Sequence, residues 1–331
     1  MRKKVIIIAE VGVNHNGKIH IAKKMIKAAA KSGADFVKFQ VFSSELLSTS
    51  YAKKPNYVLT KPKESQQEML KKLELSEKNF KLLKKLCKKN KIGFMASAFD
   101  IDSLNFLKSL RLNIYKIPSG EINNLPYLRH VAKFRKKIIF STGMSSIKEI
   151  KNILKILTTN GTKKKNISML QCNTDYPSSF EDTNLKVIKR FKKMFGVNVG
   201  FSDHTVGVEA SIAAVVLGAE IIEKHFTLDK NLKGPDHKAS LSINELNELV
   251  KSIRNVEIAL GSSEKKLNKS EKKNIKFVRK SIVAKKKIRI GEIFTANNIT
   301  TKRPGNGMSP MLWDKLLGKR SKKIYLKDQK I

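Results

Sequence analysis

Cysteine is scarce in this sequence, and so are acidic residues and long apolar runs. The two cysteines, Cys87 and Cys172, lack C-x-x-C spacing, which argues against a disulfide framework and a cysteine zinc site. The most apolar stretches, such as 5–9 and 210–219, are far shorter than the roughly 20 residues of a membrane-spanning helix. The first is also too short for the apolar region of a signal peptide. We therefore expect a cytoplasmic protein without a membrane span.

The shortage of acidic residues leaves a large positive charge. Only 28 residues are acidic against 68 basic ones, so the formal net charge is +40. Such an excess attracts anions and is common in nucleic-acid-binding proteins. However, only ten of the basic residues are arginine, and no arginine-rich or aromatic-interleaved segment accompanies the dispersed lysines. We expect a solvated lysine surface without a specific nucleic-acid partner; a basic nucleic-acid-binding or scaffolding protein is the alternative.

Short apolar runs alternate with helical segments along most of the chain. The eight predicted strands are 5–9, 36–40, 92–96, 113–117, 137–141, 166–171, 198–201 and 220–223. All are followed by a predicted helix, and only 41–72 is a long irregular stretch. Eight such units predict an α/β fold, a (β/α)8 (TIM) barrel over residues 1–262. A doubly wound open sheet is the alternative.

The last part of the chain changes in style. Residues 263–279 are polar and highly charged, which predicts a linker or a charged helix. From 280 to 331, short β-branched runs alternate with turns at Gly291 and 304–307. This pattern predicts a small, mostly β C-terminal domain.

Two of the predicted strands run directly into a histidine, His204 after the seventh strand and His225 after the eighth. Because the ends of adjacent parallel strands meet at one edge of a sheet, we expect the two rings to converge. Two imidazoles suit a divalent metal that keeps positions open for substrate or water. The following loop adds Asp236 and His237. For either histidine alone, a hydrogen-bonded loop residue is the alternative.

Lys38 and Lys116 interrupt strands that are otherwise apolar. Barrel enzymes place their chemistry where strands end, and a lysine there serves as a clamp for phosphate or carboxylate, or as a Schiff-base amine. A rim lysine that reaches solvent is the non-functional alternative. Two lysines in one mouth, with hydroxyls and a metal site, favour an anionic substrate that bears phosphate.

These motifs resemble those of the bacterial sialic acid synthases, the N-acetylneuraminate synthase type, which condense phosphoenolpyruvate with a 2-acetamido sugar. The matching segments, in the same order and spacing, are AEVGVNHNG (9–17), VKFQ (37–40), KIPSGE (116–121), STGM (141–144), QCNTDYP (171–177), GFSDH (200–204), EKHFTLD (223–229), GPDHKASL (234–241) and KRPGNGMSP (302–310). The resemblance covers essentially the full length. It implies a (β/α)8 barrel with a small antifreeze-like (SAF) domain, and a homodimer in which each small domain caps the partner's barrel.

The resemblance also implies roles for individual residues. A divalent metal, Mn²⁺ or Mg²⁺, is expected at His204 and His225, and Glu10 is expected to be the catalytic acid–base residue. Phosphoenolpyruvate is expected to contact Lys38, Ser97, Lys116, Ser119, Thr174 (or Asn173) and Ser202. The sugar is expected to contact Gln40, Tyr176, Asp236 and, from the partner chain, Arg303.

The implied reaction joins the enol carbon of phosphoenolpyruvate to the open-chain sugar aldehyde, with addition of water and loss of phosphate by C–O cleavage. With N-acetylmannosamine the product is N-acetylneuraminate, which is the first expectation. A legionaminate or pseudaminate synthase with the same chemistry on a diacetamido sugar is the alternative. A Schiff-base aldolase that uses Lys116 is a further alternative.

Overall fold

The computed structural model describes residues 4–54 and 64–331. The chain forms two compact units, Met1–Gly261 and Ser262–Ile331. In the first unit, eight parallel strands pair in chain order and close into a barrel. The strands are β1 (Ile6–Gly12), β2 (Phe36–Val41), β3 (Gly93–Ala98), β4 (Ile114–Ile117), β5 (Lys137–Ser141), β6 (Ile167–Cys172), β7 (Asn198–Asp203) and β8 (Ile221–His225). The prediction of a (β/α)8 barrel is confirmed.

Helices follow each strand of the barrel. They are α1 (Ile19–Lys31), α2 (Ser44–Leu47), α3 (Gln66–Lys71), α4 (Glu77–Lys89), α5 (Ile101–Ser109), α6 (Leu125–Ala132), α7 (Ile147–Thr159), α8 (Val187–Phe195), α9 (Glu209–Val216) and α10 (Ile243–Ala259). Several begin at a side-chain cap, and Ser242 forms a reciprocal capping box with Glu245 at the start of α10. In the part of the chain that the structure describes, no helix has both the length and the apolar character to cross a membrane.

Two details of the predicted element pattern are wrong. The stretch 41–72 is not irregular throughout: Val41 ends β2, and α2 and α3 lie within it, while 55–63 are outside the described residues. Helix α3 begins where Ser65 and Glu68 cap each other, a local signal that a search for apolar periodicity overlooks. The helix predicted from Glu181 begins only at Val187, because Asn184 adopts a left-handed conformation after a single 3-10 turn.

The second unit begins with a charged segment and continues as a small β structure. The segment predicted as a linker contains α11 (Lys269–Val278), which has no buried residue. Strands β9 (Ser281–Ala284) and β10 (Ile299–Lys302) pair antiparallel, and α12 (Trp313–Leu316) follows. The core of this unit is Ile282, Ala284, Ile288, Phe294, Ile299, Leu316 and Tyr325. The prediction of a small, mostly β C-terminal unit is confirmed.

The interior of the barrel is apolar at one level and charged at the next. Ile8, Met95, Ile139, Leu170 and Ile221 form a buried apolar cluster of their own inside the barrel. Because side chains on one face of a strand recur every second residue, the inward positions that follow are occupied by polar and charged groups. The apolar layer thus forms the floor on which the candidate site is built.

Candidate active site

The inward-facing side chains at the C-terminal ends of the strands form one polar cluster. On β1, Glu10 follows Ile8 by two residues, and on β8, Glu223 and His225 follow Ile221 at the same spacing. Strand pairing sets Glu10 beside Lys38 and beside His225, and Ser202 beside Glu223. Active sites of (β/α)8 barrels lie at this end of the strands.

These residues line a cavity of about 620 Å³. Of the thirteen residues predicted for the site, twelve line it: Glu10, Lys38, Gln40, Ser97, Lys116, Ser119, Thr174, Tyr176, Ser202, His204, His225 and Asp236. The thirteenth, Arg303, lies in the second unit, so its contact with a sugar stays a prediction. Asn173 does not line the cavity, and its side-chain oxygen accepts a hydrogen bond from the backbone of Asp175, so Thr174 fits the site better.

The two lysines predicted from the interrupted strands are buried at the bottom of this cavity. Lys38 Nζ lies 2.8 Å from Glu10 Oε2 and 3.7 Å from Glu223 Oε2, and it donates to Ser97 Oγ at 3.2 Å. Lys116 Nζ lies 3.5 Å from Glu223 Oε1 and donates to Ser141 Oγ at 2.7 Å. Neither lysine is a rim residue that reaches solvent.

Glu10 and Glu223 are two of the carboxyl groups that line the cavity, and their surroundings shift their pKa values in opposite directions. Burial raises the pKa of Glu10 to about 7, with the charge of Glu223 adding to this and Lys38 opposing it. Burial also acts against the ionised form of Glu223, but Lys116 and Lys38 outweigh it and keep its pKa below the usual value. A pair of carboxyl groups with pKa values pushed apart is an arrangement that acid–base catalysts use. Glu10 is therefore poised to exchange a proton near neutral pH.

Glu223 is the functional residue that the sequence-based assignment missed. It accepts a hydrogen bond from Ser202 Oγ at 3.0 Å and faces both lysines. Its position two residues before His225 on the same strand puts both side chains on the inner face. The spacing is visible in the sequence, but it places Glu223 on the inner face only once the strand is known to continue through His225.

The imidazole rings of His204 and His225 converge, with centroids 5.5 Å apart, and the ring of Tyr176 packs 4.1 Å from that of His204. Metal–nitrogen bonds are about 2.1 Å long, so two ring centres that share an ion lie within about 6 Å of each other. No group of three or more His, Cys, Asp or Glu side chains has metal-binding geometry within residues 4–54 and 64–331. A metal at this pair would therefore need water or substrate as its remaining ligands.

The surroundings of the two rings fit a metal. Burial and the neighbouring His204 and Lys38 lower the pKa of His225 well below its usual value, so the ring is neutral. Its buried Nδ1 has no hydrogen-bond partner among the described residues, which is uncommon for a buried polar atom. His204 Nδ1 donates to the carbonyl oxygen of Asn173 at 2.5 Å, which leaves Nε2 as the basic nitrogen. His225 thus has a nitrogen lone pair available. Burial acts against the charged form of His204, but the neighbouring Cys172 outweighs it and raises the pKa of His204 above its usual value, so a metal would have to displace a proton from Nε2.

Replacing Gly12 with alanine is expected to reduce turnover by about 10²-fold, because catalytic geometry tolerates little displacement. A Cβ at Gly12 would lie 2.9 Å from His225 Cε1 and 3.4 Å from Glu10 Oε1, and the backbone φ of +53° already favours glycine. Steady-state kinetics with Gly33→Ala as the control measures this. Gly33 also has a positive φ (+81°), but its Cβ would meet only Val250 at 3.5 Å. Equal losses in both variants would mean that backbone strain, not the displaced ring, is responsible.

One wall of the cavity is apolar. The residues that form it are Val13, Leu47, Met69, Leu70, Leu73 and Phe99. Several come from α2 and α3, and Val13, Phe42 and Leu73 form a separate small apolar cluster with Leu47, Leu70 and Phe99. The cavity therefore combines a charged floor with a side that accepts methyl or methylene groups.

Comparison with known proteins identifies the family. Residues 25–265 match the model of the NeuB family, and residues 279–329 match the SAF domain. The chain belongs to the NeuB family. This membership agrees with the resemblance to sialic acid synthases, and the SAF match gives the second unit the identity expected of it.

Relatives of this NeuB-family chain are named as synthases of several related sugar acids. It is 53% identical over 331 residues to the N,N'-diacetyllegionaminic acid synthase of Campylobacter jejuni, and the aligned region covers 99% of each chain. It is 42% identical to the enzyme of the same name from Legionella pneumophila, over 95% of this chain and 89% of that one. Its fold matches a crystal structure of the N-acetylneuraminic acid synthetase of Leptospira borgpetersenii in complex with citrate, with a TM-score of 0.73 and 34% identity, over 82% of this chain and 90% of that one.

Proposed function

We propose that this protein condenses phosphoenolpyruvate with the open-chain form of an acylamino sugar and water, to give a nine-carbon sugar acid and phosphate. The observation that supports this most is the single cavity that holds two buried lysines, a proton-exchanging carboxyl group and a convergent pair of histidines. Family membership agrees with this chemistry.

The lysines and hydroxyls account for the binding of an anion. Lys38 and Lys116 are buried, where a charge interacts more strongly than it does in water. Ser119 Oγ accepts a hydrogen bond from the backbone of Gly143 at 3.0 Å, which directs its own proton elsewhere. These groups would hold the phosphate and carboxylate of phosphoenolpyruvate.

The carbon–carbon bond forms between the enol carbon and the aldehyde carbon of the sugar. The aldehyde oxygen takes up a proton from solvent, and positive charge is left on the adjacent carbon and oxygen of the former enol. Water then adds to the adjacent carbon of the former enol and loses its proton to Glu10. The bond between that carbon and the phosphate oxygen then breaks. The new hydroxyl group gives its remaining proton to the departing phosphate, which leaves the keto group of the product. A divalent cation at His204 and His225 would supply Lewis acidity towards the aldehyde oxygen.

For the sugar substrate, the supporting observations favour a diacetamido sugar over N-acetylmannosamine. N-acetylneuraminate was the first expectation, but the relative at 53% identity is named for a diacetylated legionaminic acid. The apolar wall of the cavity suits the methyl of a second acetamido group better than it suits a sugar hydroxyl. We therefore propose a diacetamido sugar as the substrate and N,N'-diacetyllegionaminate as the product.

A phosphate-release assay with different sugars tests this proposal. Phosphoenolpyruvate is offered with N-acetylmannosamine, with the diacetamido sugar that leads to legionaminate and with the one that leads to pseudaminate, each with and without chelator. We expect the second sugar to give the highest kcat/KM and the chelator to stop release. Highest activity with N-acetylmannosamine would return the assignment to neuraminate, and no release with any of them would refute the condensation.

Replacing Lys116 with methionine is expected to raise the KM for phosphoenolpyruvate by about 10- to 100-fold. Hydrogen bonds to charged groups contribute about 1.5–3 kcal/mol, and the substitution also leaves the charge of Glu223 less compensated. Initial rates at varied phosphoenolpyruvate measure the change. Lys137→Met is the matched control, since Lys137 is exposed at the other end of the neighbouring strand. An unchanged KM for phosphoenolpyruvate would show that Lys116 does not contribute to binding of the anion.

A Schiff-base aldolase is the second candidate, because burial lowers the pKa of Lys116 as a nucleophilic amine requires. Borohydride treatment in the presence of pyruvate distinguishes the two chemistries. We expect the protein to remain unlabelled, and reduction of pyruvate onto Lys116 would favour the aldolase.

We also propose a homodimer in which Arg303 of one chain reaches the sugar bound by its partner. Exposed apolar side chains in the loops after β5, β6 and β7 (Met144, Phe180 and Val206) support a covered rim. Mixing inactive Arg303→Ala and Glu10→Gln variants, followed by subunit exchange, would restore activity if the sites are shared. No recovery with exchange complete would place Arg303 outside the partner's site.

A further inference from the structure

A buried ion pair lies directly behind the two histidines and has no task in the chemistry above. Asp203 immediately precedes His204 at the end of β7, and Lys224 immediately precedes His225 on β8. Side chains alternate along a strand, so these two leave on the face opposite to the cavity, and neither lines it. The pair therefore cannot contact substrate.

The pair is closely bonded to its surroundings. Lys224 Nζ lies 2.7 Å from Asp203 Oδ2 and donates to the carbonyl oxygen of Thr205 at 2.8 Å. The Asp203 carboxylate also accepts hydrogen bonds from the Thr205 backbone (2.8 Å) and hydroxyl (2.7 Å), and from Ser211 Oγ on α9 (2.6 Å). Side-chain exposure is 0% for Asp203 and 1% for Lys224.

These bonds join the ends of both histidine-bearing strands, the loop after β7 and the first turn of α9. A buried ion pair is weak evidence for stability, since apolar residues of similar volume often serve as well. What a pair of fixed charges does add is a defined geometry between the elements that carry it. Here Asp203 on β7 is followed directly by His204, and Lys224 on β8 is followed directly by His225.

We propose that Asp203 and Lys224 form a positioning pair that holds His204 and His225 at the separation needed to share one divalent cation. This inference rests on the proposed metal site. It assigns the pair to metal affinity rather than only to folding stability. In metal sites generally, outer groups that orient the ligands change metal affinity by about 10- to 100-fold when they are replaced.

The experiment compares Mn²⁺ binding with stability. The dissociation constant is measured by electron paramagnetic resonance of free Mn²⁺, and thermal unfolding is followed in chelator-treated protein. The variant is Asp203→Asn/Lys224→Met, which removes both charges and leaves none unpaired. We expect the dissociation constant to rise about 10- to 100-fold. Lys224→Arg, which keeps the charge, should stay close to wild type.

The matched control is Asp35→Asn/Arg254→Met, which removes a 2.6 Å ion pair at the opposite end of the barrel. It should leave the Mn²⁺ dissociation constant unchanged whatever it does to the unfolding temperature. If the double variant does not fold, Ser211→Ala, which deletes one bond to Asp203, should still weaken Mn²⁺ binding several-fold.

Two results would overturn the inference, and they are distinguishable. A folded Asp203→Asn/Lys224→Met protein, or a folded Ser211→Ala protein, with wild-type Mn²⁺ affinity and a lower unfolding temperature would make the pair purely structural. Failure of the wild type itself to bind Mn²⁺ would refute the metal site of the proposed function, and the positioning role with it.

Discussion

The His225→Asn variant is expected to lose at least about 10³-fold in turnover while remaining folded. A cation that polarises a reacting oxygen contributes several kcal/mol of transition-state stabilisation, and about 4 kcal/mol corresponds to that factor. With only two histidines at the site and no third His, Cys, Asp or Glu ligand grouped with them in the described ranges, the loss of one leaves little to bind an ion. Phosphate release at saturating substrates, with Mn²⁺ from micromolar to millimolar concentrations, measures the effect.

The control for this variant is His20→Asn, since His20 is an exposed residue of α1 outside the cavity. Far-UV circular dichroism of both variants should match that of the wild type. His225 is not part of the apolar core, and the smaller asparagine side chain leaves additional space only towards the cavity. Full turnover of His225→Asn at high Mn²⁺ would show that the histidine pair is not the metal site. The cation would then act elsewhere or not at all.

The architecture could be predicted because its signal is local and repeated. Each strand of the barrel is a short apolar run between polar segments, and eight of them in regular alternation with helices leave few other folds. What failed were elements whose cause lies in single contacts: α3 starts at the Ser65–Glu68 capping box, and α8 starts late because of the left-handed Asn184. Such features have no periodicity to find.

The site could be predicted in part for the same reason. Strand ends of a parallel barrel converge, so Lys38, Lys116, His204 and His225 could be grouped from the sequence alone. Glu223 was missed because it looks like an ordinary polar residue until the strand is seen to continue through His225. The apolar wall depends on the tertiary placement of the two short helices α2 and α3, and neither composition nor spacing specifies that placement.

The choice between Glu10 and Glu223 as the proton-exchanging group follows from their lysine contacts. Glu223 lies between Lys38 and Lys116 and is also hydrogen-bonded by Ser202, so its negative charge is compensated and it stays ionised. Glu10 has one lysine, and its Oε1 lacks a hydrogen-bond partner among the described residues. Burial therefore prevails at Glu10 and raises its pKa to about 7, whereas Glu223 acts as a fixed counter-charge.

Replacing Glu10 with glutamine is accordingly expected to lower kcat by about 10²–10⁴-fold, the usual contribution of general acid–base catalysis. The pH dependence should change as well. A base must be ionised to accept a proton, so with a pKa of about 7 the wild-type kcat/KM should rise with pH up to about 7 and then level off. The substrate phosphate itself titrates near 6. The pH dependence that comes from the substrate phosphate should persist in Glu10→Gln. The rise of kcat/KM with a pKa of about 7 should disappear.

The pH profile of kcat/KM for phosphoenolpyruvate, measured for both proteins, tests this directly. Glu257→Gln is the matched control, since Glu257 is a partly buried carboxylate that accepts a hydrogen bond from Val5 at the opposite end of the barrel. Near-normal turnover of Glu10→Gln would remove Glu10 from acid–base catalysis. A wild-type profile that instead falls above pH 7, with the fall absent in Glu10→Gln, would reverse the assignment: Glu10 would donate its proton to the aldehyde oxygen during bond formation, and another group would activate the water.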